Sequence, residues 1–241
     1  MLFFGYSRTT RYLGHVMRDD FALLRGAAPA ELDELLDRAR RRTFKAGEVV
    51  FHAGDPGDTV HLVRSGRFAV RIATEFGDVA TLNVVGPGDA FGELALVTPG
   101  QPRSATVAAL EDAETLSVHQ IDFDRLRRER PQTDALLVEL LAARVRRLSG
   151  QLVEALHLPA ETRIRRRLLE IAGIYGGAAE AGVGAVIPLT QEELASLAGT
   201  SRATVNKVLR EEQEHGTVEL ARGRTTVTDP AALERRARGP F

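Results

Sequence analysis

The stretch FKAGEVVFHAGDPGDTVHLVRSG, residues 44–66, sets the pattern for the first half of the chain. Short β-branched runs alternate with glycine, aspartate and proline, and the pattern recurs until about Val118. Pro56 presets φ for a turn and neighbouring glycines supply positive φ, so each run ends in a tight turn. Short strands at this spacing are typical of an antiparallel barrel or roll. The sequence therefore predicts a β-roll here, preceded by a helix over residues 29–40.

The composition narrows the classes of function. The 241-residue chain has no cysteine, which excludes disulfides, cysteine-ligated zinc, iron–sulfur clusters and thiol catalysis. No apolar run is long enough to cross a bilayer and no signal-peptide cleavage site is visible, so we expect a cytoplasmic protein. The net charge of −1 means that any basic patch is local. The sequence shows no catalytic triad order, metal-ligand cluster or phosphate loop, so we expect neither an enzyme nor a metal site.

Residues 131–157 predict one long helix with an apolar seam. The seam residues are spaced alternately three and four apart, which is the spacing of a coiled coil. They are Val138, Leu141, Val145, Leu148, Leu152 and Ala155. About 26 residues make a rod of roughly 39 Å. A helix packed on its own domain is the alternative, but the arginines beside the seam leave a narrow apolar stripe, which favours a homodimer.

The stretch PLTQEELASLAGTSRATVNKVLRE, residues 188–211, predicts a helix-turn-helix. Thr190 followed three residues later by Glu193 is a capping box, which starts a first helix at position 191. Gly199 supplies the sharp turn, and Ser201 is a natural N-cap for the second helix. The cap, the turn and the apolar spacing all favour the same motif.

The outer face of the second helix carries candidate DNA contacts. Arginine and lysine suit the O6 and N7 atoms of guanine, and Asn206 suits adenine or a phosphate. Hydroxyls and free N–H groups at helix starts suit phosphate oxygens. The candidates are Thr190, Gln191, Ser201, Arg202, Ala203, Thr204, Asn206 and Lys207. A solvated helix with its charges facing water is the alternative. Four arginines upstream either extend the basic surface or face solvent: Arg163, Arg165, Arg166 and Arg167.

The stretch FGELALVTPGQPRSATV, residues 91–107, has groups that suit a pocket for a small anionic ligand. Arg103 can hold two phosphate oxygens as a planar fork, and Ser104 can donate a hydroxyl. The segment from Gly92 can turn its N–H groups toward an anion. An ionised Glu93 only accepts hydrogen bonds, which suits a hydroxyl group of such a ligand. An ion pair between Glu93 and Arg103 that closes a loop without a ligand is the alternative.

These stretches resemble the bacterial transcription regulators that include the catabolite activator protein (the cyclic-AMP receptor protein) and the FNR-type regulators. The resemblance runs from about Phe21 to Asp229 and looks closest to the actinobacterial members. It implies an α+β fold with a cyclic-nucleotide-binding β-roll of the jelly-roll type, a long dimerisation helix and a winged helix-turn-helix. The implied domains are an N-terminal extension at 1–20, the β-roll at 21–130, the helix at 131–157 and the DNA-binding domain at 158–241.

The resemblance also implies a function. It implies a homodimeric transcription regulator under allosteric control by a cyclic nucleotide, first of all cyclic AMP, with cyclic GMP as the alternative. Its partners would be a pseudo-palindromic operator in double-stranded DNA, a second copy and, as a further candidate, RNA polymerase. The implied ligand-binding residues are Gly92, Glu93, Leu94, Ala95, Arg103, Ser104, Ala105, Leu148 and Ser149. A ligand-independent regulator and a nucleotide-responsive subunit that acts on a protein stay open as alternatives.

The chain departs from the family pattern in three places. Leu148 stands where the cyclic-AMP receptor has a hydroxyl or amide that reaches the base, so base recognition rests on Ser149 or on apolar packing. Ala203 stands where many relatives have a glutamate that reads a cytosine amine, so the operator is expected to differ there; alanine can contact a thymine methyl. Glu212 and Thr217 stand at usually apolar positions and predict a looser wing.

Overall fold

The structure is a computed structural model that describes residues 21–24, 29–75, 77–130, 132–176 and 184–238. The predicted N-terminal extension, Pro131 and most of the glycine-rich break after the fifth helix lie outside these residues. A short 3-10 helix spans Ala22–Leu24. The α-helices are α1 Pro29–Arg38, α2 Leu94–Val97, α3 Gln120–Glu129, α4 Gln132–His157, α5 Ala160–Gly176, α6 Gln191–Ala198, α7 Arg202–Glu214 and α8 Pro230–Arg236. None of the described helices is long and apolar enough to span a membrane.

The strands form two antiparallel sheets in the first half of the chain and a third sheet near its end. They are β1 Arg40–Phe44, β2 Val49–Phe51, β3 Thr59–Ser65, β4 Phe68–Ala73, β5 Val79–Val85, β6 Ala90–Phe91, β7 Thr106–Ala109, β8 Ala113–His119, β9 Ala185–Ile187, β10 Val218–Ala221 and β11 Arg224–Val227. The sheet orders are β1-β8-β3-β6, β2-β7-β4-β5 and β10-β11-β9.

The first two sheets enclose an aromatic core. Phe44, Phe68 and Phe91 are almost fully buried there with aliphatic residues of both sheets. The chain leaves β3 for β4 at Gly66, where φ is +73° and any side chain would collide with Ala113 of β8. This arrangement confirms the predicted β-roll.

The helix predicted over residues 29–40 is too long by two residues. It ends at Arg38, and Arg40 already pairs with Ser117 in an antiparallel ladder between β1 and β8. Phe44 at the far end of β1 is buried in the core of the roll, so tertiary pairing overrides the helical preference of the arginine run.

The predicted long helix is confirmed as α4, which has 26 residues. Its first turns pack on the roll through Leu137, which is buried with Phe123 and Leu126 of α3. Beyond this contact the helix keeps large apolar side chains exposed. They are Val138, Val145, Leu148, Leu152, Val153 and Leu156.

The C-terminal domain surrounds its own core and also contacts the roll. Leu168 of α5, Leu194 of α6 and Val205 of α7 are buried together, and Val84 of β5 belongs to the same cluster. The Ser196 hydroxyl on α6 donates to the carbonyl of Val79 at 2.7 Å. The first helix of the helix-turn-helix therefore lies against strand β5 of the same chain.

Candidate functional site

Gly92 forms the turn between β6 and α2, and the structure requires glycine there. Its φ is +77°, a conformation that other residues rarely adopt. A Cβ atom would also lie 2.7 Å from Nη1 of Arg103 and 3.1 Å from the carbonyl oxygen of Thr59. The backbone of this turn therefore packs directly against the Arg103 guanidinium and leaves no room for a side chain at position 92.

Arg103 is a buried cation, with only 8% of its surface exposed. Its Nη1 donates to the Thr59 carbonyl at 2.8 Å and to the Gly92 carbonyl at 3.3 Å, and its Nη2 donates to the Thr59 hydroxyl at 2.8 Å. All three acceptors are neutral oxygens, and Nε has no hydrogen-bond partner among the described residues. Burial lowers the pKa of Arg103, although nearby carboxylates raise it in part. Phe51 supports the guanidinium, whose carbon lies 4.1 Å from the ring centroid.

Glu93 is also buried, but its ion pair is with the long helix. Its Oε1 lies 2.8 Å from Nη1 of Arg144, and Nη2 of Arg144 donates to the Ala90 carbonyl at 2.6 Å. The alternative in which Glu93 pairs with Arg103 is therefore replaced by two separate sets of contacts. Arg144 ties the candidate site to α4, one helical turn before Leu148.

The structure brings only part of the predicted ligand set together. Arg103 contacts Gly92, and Glu93 follows Gly92 in the chain but pairs with Arg144. Ala95 and Ala105, which lie near these residues in the sequence, are buried, whereas Ser104 is exposed. Leu94 exposes 43% of its surface. Leu148 and Ser149 are exposed on α4 in the single chain, and their contact with a base across a dimer stays a prediction.

Sequence reasoning missed three residues of this site: Phe51, Thr59 and Arg144. Arg144 is one of the arginines beside the apolar seam, and nothing near it in the sequence shows that it pairs with Glu93. Thr59 and Phe51 flank the turn at residues 54–58, but nothing local in that turn shows that it faces Arg103. Their role appears only once β2, which carries Phe51, and β3, which carries Thr59, are placed in facing sheets.

His61 lies behind this site in the aromatic core. It stacks on Phe91 with 5.0 Å between ring centroids, and its Nδ1 lies 3.1 Å from the Thr115 hydroxyl. Burial lowers the pKa of His61 to about 3, and the positive charges of Arg103 and Arg42 add to the effect. The imidazole is therefore neutral at physiological pH.

The second candidate site is the surface of α6 and α7. The capping box is confirmed, since the Thr190 hydroxyl accepts from the Glu193 N–H and the Glu193 carboxylate accepts from the Thr190 N–H. Gly199 has the left-handed conformation that the turn needs, with φ of 58°. Ser201 caps α7 by accepting from the Thr204 N–H at 3.2 Å.

The start of α7 presents the predicted residues outward. Arg202, Ala203 and Lys207 are exposed, while Val205 is fully buried beneath them. Asn206 is half-buried, and its Nδ2 donates to Oε1 of Gln191 at 3.1 Å, which joins the two helices on their outer side.

The four upstream arginines take neither of the two predicted roles. Arg163 donates to three carbonyls, those of Leu158, Ala198 and Gly199. Arg166 pairs with Glu154 of α4. Arg165 forms ion pairs with Glu211 and Glu212. Arg167 forms ion pairs with Glu154 and Glu170. These side chains hold α5 to its neighbours instead of extending the basic surface.

The looser wing predicted from Glu212 and Thr217 is wrong. Glu212 is fully buried, and its carboxylate accepts hydrogen bonds from Arg165 at 2.7 Å, from Thr217 at 2.7 Å and from Arg236 at 2.9 Å. Burial raises the pKa of Glu212, but these hydrogen bonds outweigh it and hold the pKa below its ordinary value. The carboxylate thus joins α5, α7, the start of the wing and α8.

Comparison with known proteins finds a family match for each half of the chain. Residues 41–130 match the cyclic nucleotide-binding domain family, and residues 162–236 match the Crp-like helix-turn-helix domain family. The chain is 36% identical over 217 residues to the cyclic AMP receptor protein of Thermus thermophilus, covering 90% of this chain and 97% of the relative. It is 31% identical over 219 residues to the CRP-like cAMP-activated global transcriptional regulator of Mycobacterium tuberculosis, with 90% and 96% covered.

Solved structures show the same relationship. The catabolite activator protein of Thermus thermophilus is 35% identical, with a TM-score of 0.51 over 90% of this chain and 98% of that one. A CRP/FNR-family transcriptional regulator from the same species is 26% identical, with a TM-score of 0.70 over 84% and 100%. These relatives are regulators of transcription, in line with the expectation that the chain is not an enzyme. With a β-roll, a long helix and a helix-turn-helix in the same order, the chain belongs to the CRP/FNR family of transcription regulators.

Proposed function

We propose that this regulator binds cyclic AMP in the β-roll and that the nucleotide controls its affinity for DNA. The Thermus and Mycobacterium relatives are named for cyclic AMP, and cyclic GMP is the nucleotide against which the preference is to be measured. The proposed site consists of residues 92–95, residues 103–105, and Leu148 and Ser149 on the long helix.

The observation that carries the proposal is the environment of Arg103. A buried guanidinium whose acceptors are all neutral, and whose Nε lacks a partner among the described residues, is a costly arrangement. A phosphate group would supply the opposite charge and the missing acceptor. A cyclic phosphate therefore fits beside Arg103 both by charge and by hydrogen-bonding capacity.

Glu93 would connect the ligand to the dimerisation helix. Its Oε1 is held by Arg144, which leaves Oε2 as an acceptor for a ribose hydroxyl. A ligand that changes the position of Glu93 also changes its ion pair with α4. Such a ligand shifts the equilibrium between two arrangements only if it binds one of them more tightly.

The exposed side of α4 supports a homodimer. Val138, Val145, Leu148 and Leu152 lie along one line of the helix and expose between 47% and 63% of their surfaces. A coiled-coil partner would remove this apolar surface from water. In such a dimer the base recognition would depend on Ser149 and on the apolar side chain of Leu148.

DNA recognition would then use two copies of α7 in successive major grooves of a pseudo-palindromic operator. Arg202, Ala203, Asn206 and Lys207 would face bases, and the hydroxyl and N–H groups of Thr190, Ser201 and Thr204 would face phosphates. We also propose the domain division at residues 20, 130 and 157, with RNA polymerase as a protein partner of the DNA-bound form.

Isothermal titration of the full chain with cyclic AMP and cyclic GMP tests the proposal. We expect saturable heat with cyclic AMP, and a loss of about 100-fold in affinity for Arg103→Gln, because charge-assisted hydrogen bonds to phosphate are removed. Arg41→Gln is the matched control, since it removes an exposed arginine of the same roll. No heat with either nucleotide at millimolar concentration would favour the ligand-independent regulator, in which Thr59 and Gly92 alone satisfy Arg103.

A further inference from the structure

Asn206 occupies the centre of the outward face of α7. Val205 and Leu209 point into the domain core, while Arg202, Ala203 and Arg210 are exposed at positions three and four residues away. Residues at these spacings share one side of a helix. Asn206 therefore lies between side chains that face the DNA in the proposed complex.

The Asn206 amide is held by the other helix of the motif. Its Nδ2 donates to Oε1 of Gln191 at 3.1 Å. Gln191 is the first residue of α6, directly after the Thr190 cap, so the capping box fixes its backbone. The hydrogen bond therefore couples a fixed helix start to the middle of the recognition surface.

This hydrogen bond defines what the amide offers to a base. A carboxamide can turn over and exchange its oxygen with its nitrogen, and each orientation suits a different base edge. Because Gln191 accepts one N–H, the Asn206 amide keeps its second N–H and its carbonyl oxygen free for a base. This donor and acceptor pair matches N7 and N6 of adenine in the major groove.

We propose that Gln191 and Asn206 act as one recognition unit that selects adenine at one base pair of each half-site. Asn206 is the reading residue, and Gln191 is the positioning residue that fixes its orientation. The proposal deepens the DNA-recognition role and does not depend on which nucleotide the β-roll binds.

A selection from operators with randomised half-sites, run with the full chain in the presence and absence of cyclic AMP, tests this unit. Matched duplexes that differ at one base pair then give the affinity for each base by fluorescence anisotropy. We expect an adenine preference of about 5- to 150-fold at one base pair. Asn206→Ala should remove the preference at that pair only. Gln191→Ala should reduce it by about 2- to 10-fold, because the amide is no longer held in place.

Two further variants separate positioning from simple loss of contact. Gln191→Glu keeps an acceptor for Nδ2 and should retain the adenine preference, although its charge weakens the affinity for all sequences. Asn206→Asp has no donor, so Gln191 must donate to it, and its free oxygen should move the preference toward cytosine. Glu192→Ala, an exposed neighbour on α6, is the control and should leave base preference unchanged.

The outcomes are distinct. Adenine discrimination in Gln191→Ala equal to that of the unmodified protein overturns the positioning role, and so does any selection that shows no Asn206-dependent base pair. Circular dichroism and thermal unfolding confirm that each variant is folded. An affinity for the selected operator that is the same with and without cyclic AMP would argue against nucleotide control, while an Asn206-dependent adenine preference would still support the recognition unit.

Discussion

At the residue scale, the close packing of Gly92 against the Arg103 guanidinium means that a larger residue at position 92 would displace the guanidinium. Gly92→Ala places a Cβ 2.7 Å from Nη1 of Arg103 and also strains a backbone with φ of +77°. We expect a loss of about 1–3 kcal/mol in stability from the strain and, because the guanidinium is displaced, a loss of at least about tenfold in nucleotide affinity. Urea unfolding and calorimetry measure the two effects.

A second glycine provides the control for that substitution. Gly47 has a similar φ of +82°, but a Cβ there would have no atom within 4 Å. Gly47→Ala should therefore show the strain without the loss of nucleotide affinity. Equal loss of affinity in both variants would contradict the proposed role of Arg103, which lies against Gly92, in binding the nucleotide phosphate.

His61 predicts an acid-sensitive core. Its pKa is about 3 in the folded state, below the ordinary value of 6.5, so the unfolded chain binds the proton more readily. Stability therefore falls as pH drops below about 6.5, by about 2 kcal/mol between pH 7 and pH 5 for this group alone.

The substitution His61→Asn removes the titrating ring but keeps a polar group toward Thr115. The variant starts from a lower stability because it loses the stacking on Phe91, so the pH dependence is the informative quantity. Urea unfolding at pH 7 and at pH 5 should show a smaller difference for the variant than for the unmodified protein. The same loss of unfolding free energy between pH 7 and pH 5 in both proteins would rule out His61 as the source of the acid sensitivity.

At the scale of elements, the buried carboxylate of Glu212 links the helices of the DNA-binding domain to one another. Glu212→Gln leaves Arg165 and Arg236 without their shared carboxylate, so we expect a loss of about 3 kcal/mol at neutral pH. Because the pKa of Glu212 lies below its ordinary value of 4.5, this stabilisation is present above about pH 4.5 and is lost as pH falls. The difference between the two proteins should therefore shrink in acid.

Thermal unfolding of both proteins across this pH range measures the effect. Glu219→Gln is the control, because Glu219 is exposed on strand β10 of the wing. An unchanged midpoint for Glu212→Gln at neutral pH would mean that the buried network contributes no net stability.

The same elements show what sequence can predict. The capping box at Thr190 and Glu193, the cap at Ser201 and the turn at Gly199 depend on neighbours within a few residues, and the sequence predicts all of them. Arg144 acts on Glu93, and Arg236 acts on Glu212, across long stretches of chain. Such partners depend on how the elements pack, so they could not be read from local spacing.

At the scale of the whole molecule, the apolar line on α4 predicts association. Leu152 exposes 60% of its surface in the single chain. Leu152→Glu would place two charges against each other across the proposed seam, so we expect the mass measured by sedimentation to fall from that of two chains to that of one.

Arg146→Glu introduces the same side chain on another face of α4. Arg146 follows a seam position and is itself exposed, so this variant should keep the mass of two chains. If Leu152→Glu also stays at that mass, the association uses another surface.

The contact between the roll and the C-terminal domain has an optical consequence. The chain has no tryptophan and only three tyrosines. One of them, Tyr175, lies near the end of α5. The guanidinium of Arg67, a residue of the β-roll, stacks over its ring, with 3.9 Å between the guanidinium carbon and the ring centroid. Burial raises the pKa of Tyr175, so its phenol should ionise late in an alkaline titration. The difference in ultraviolet fluorescence between the protein and its Tyr175→Phe variant therefore reports, without any attached dye, whether the two domains stay in contact.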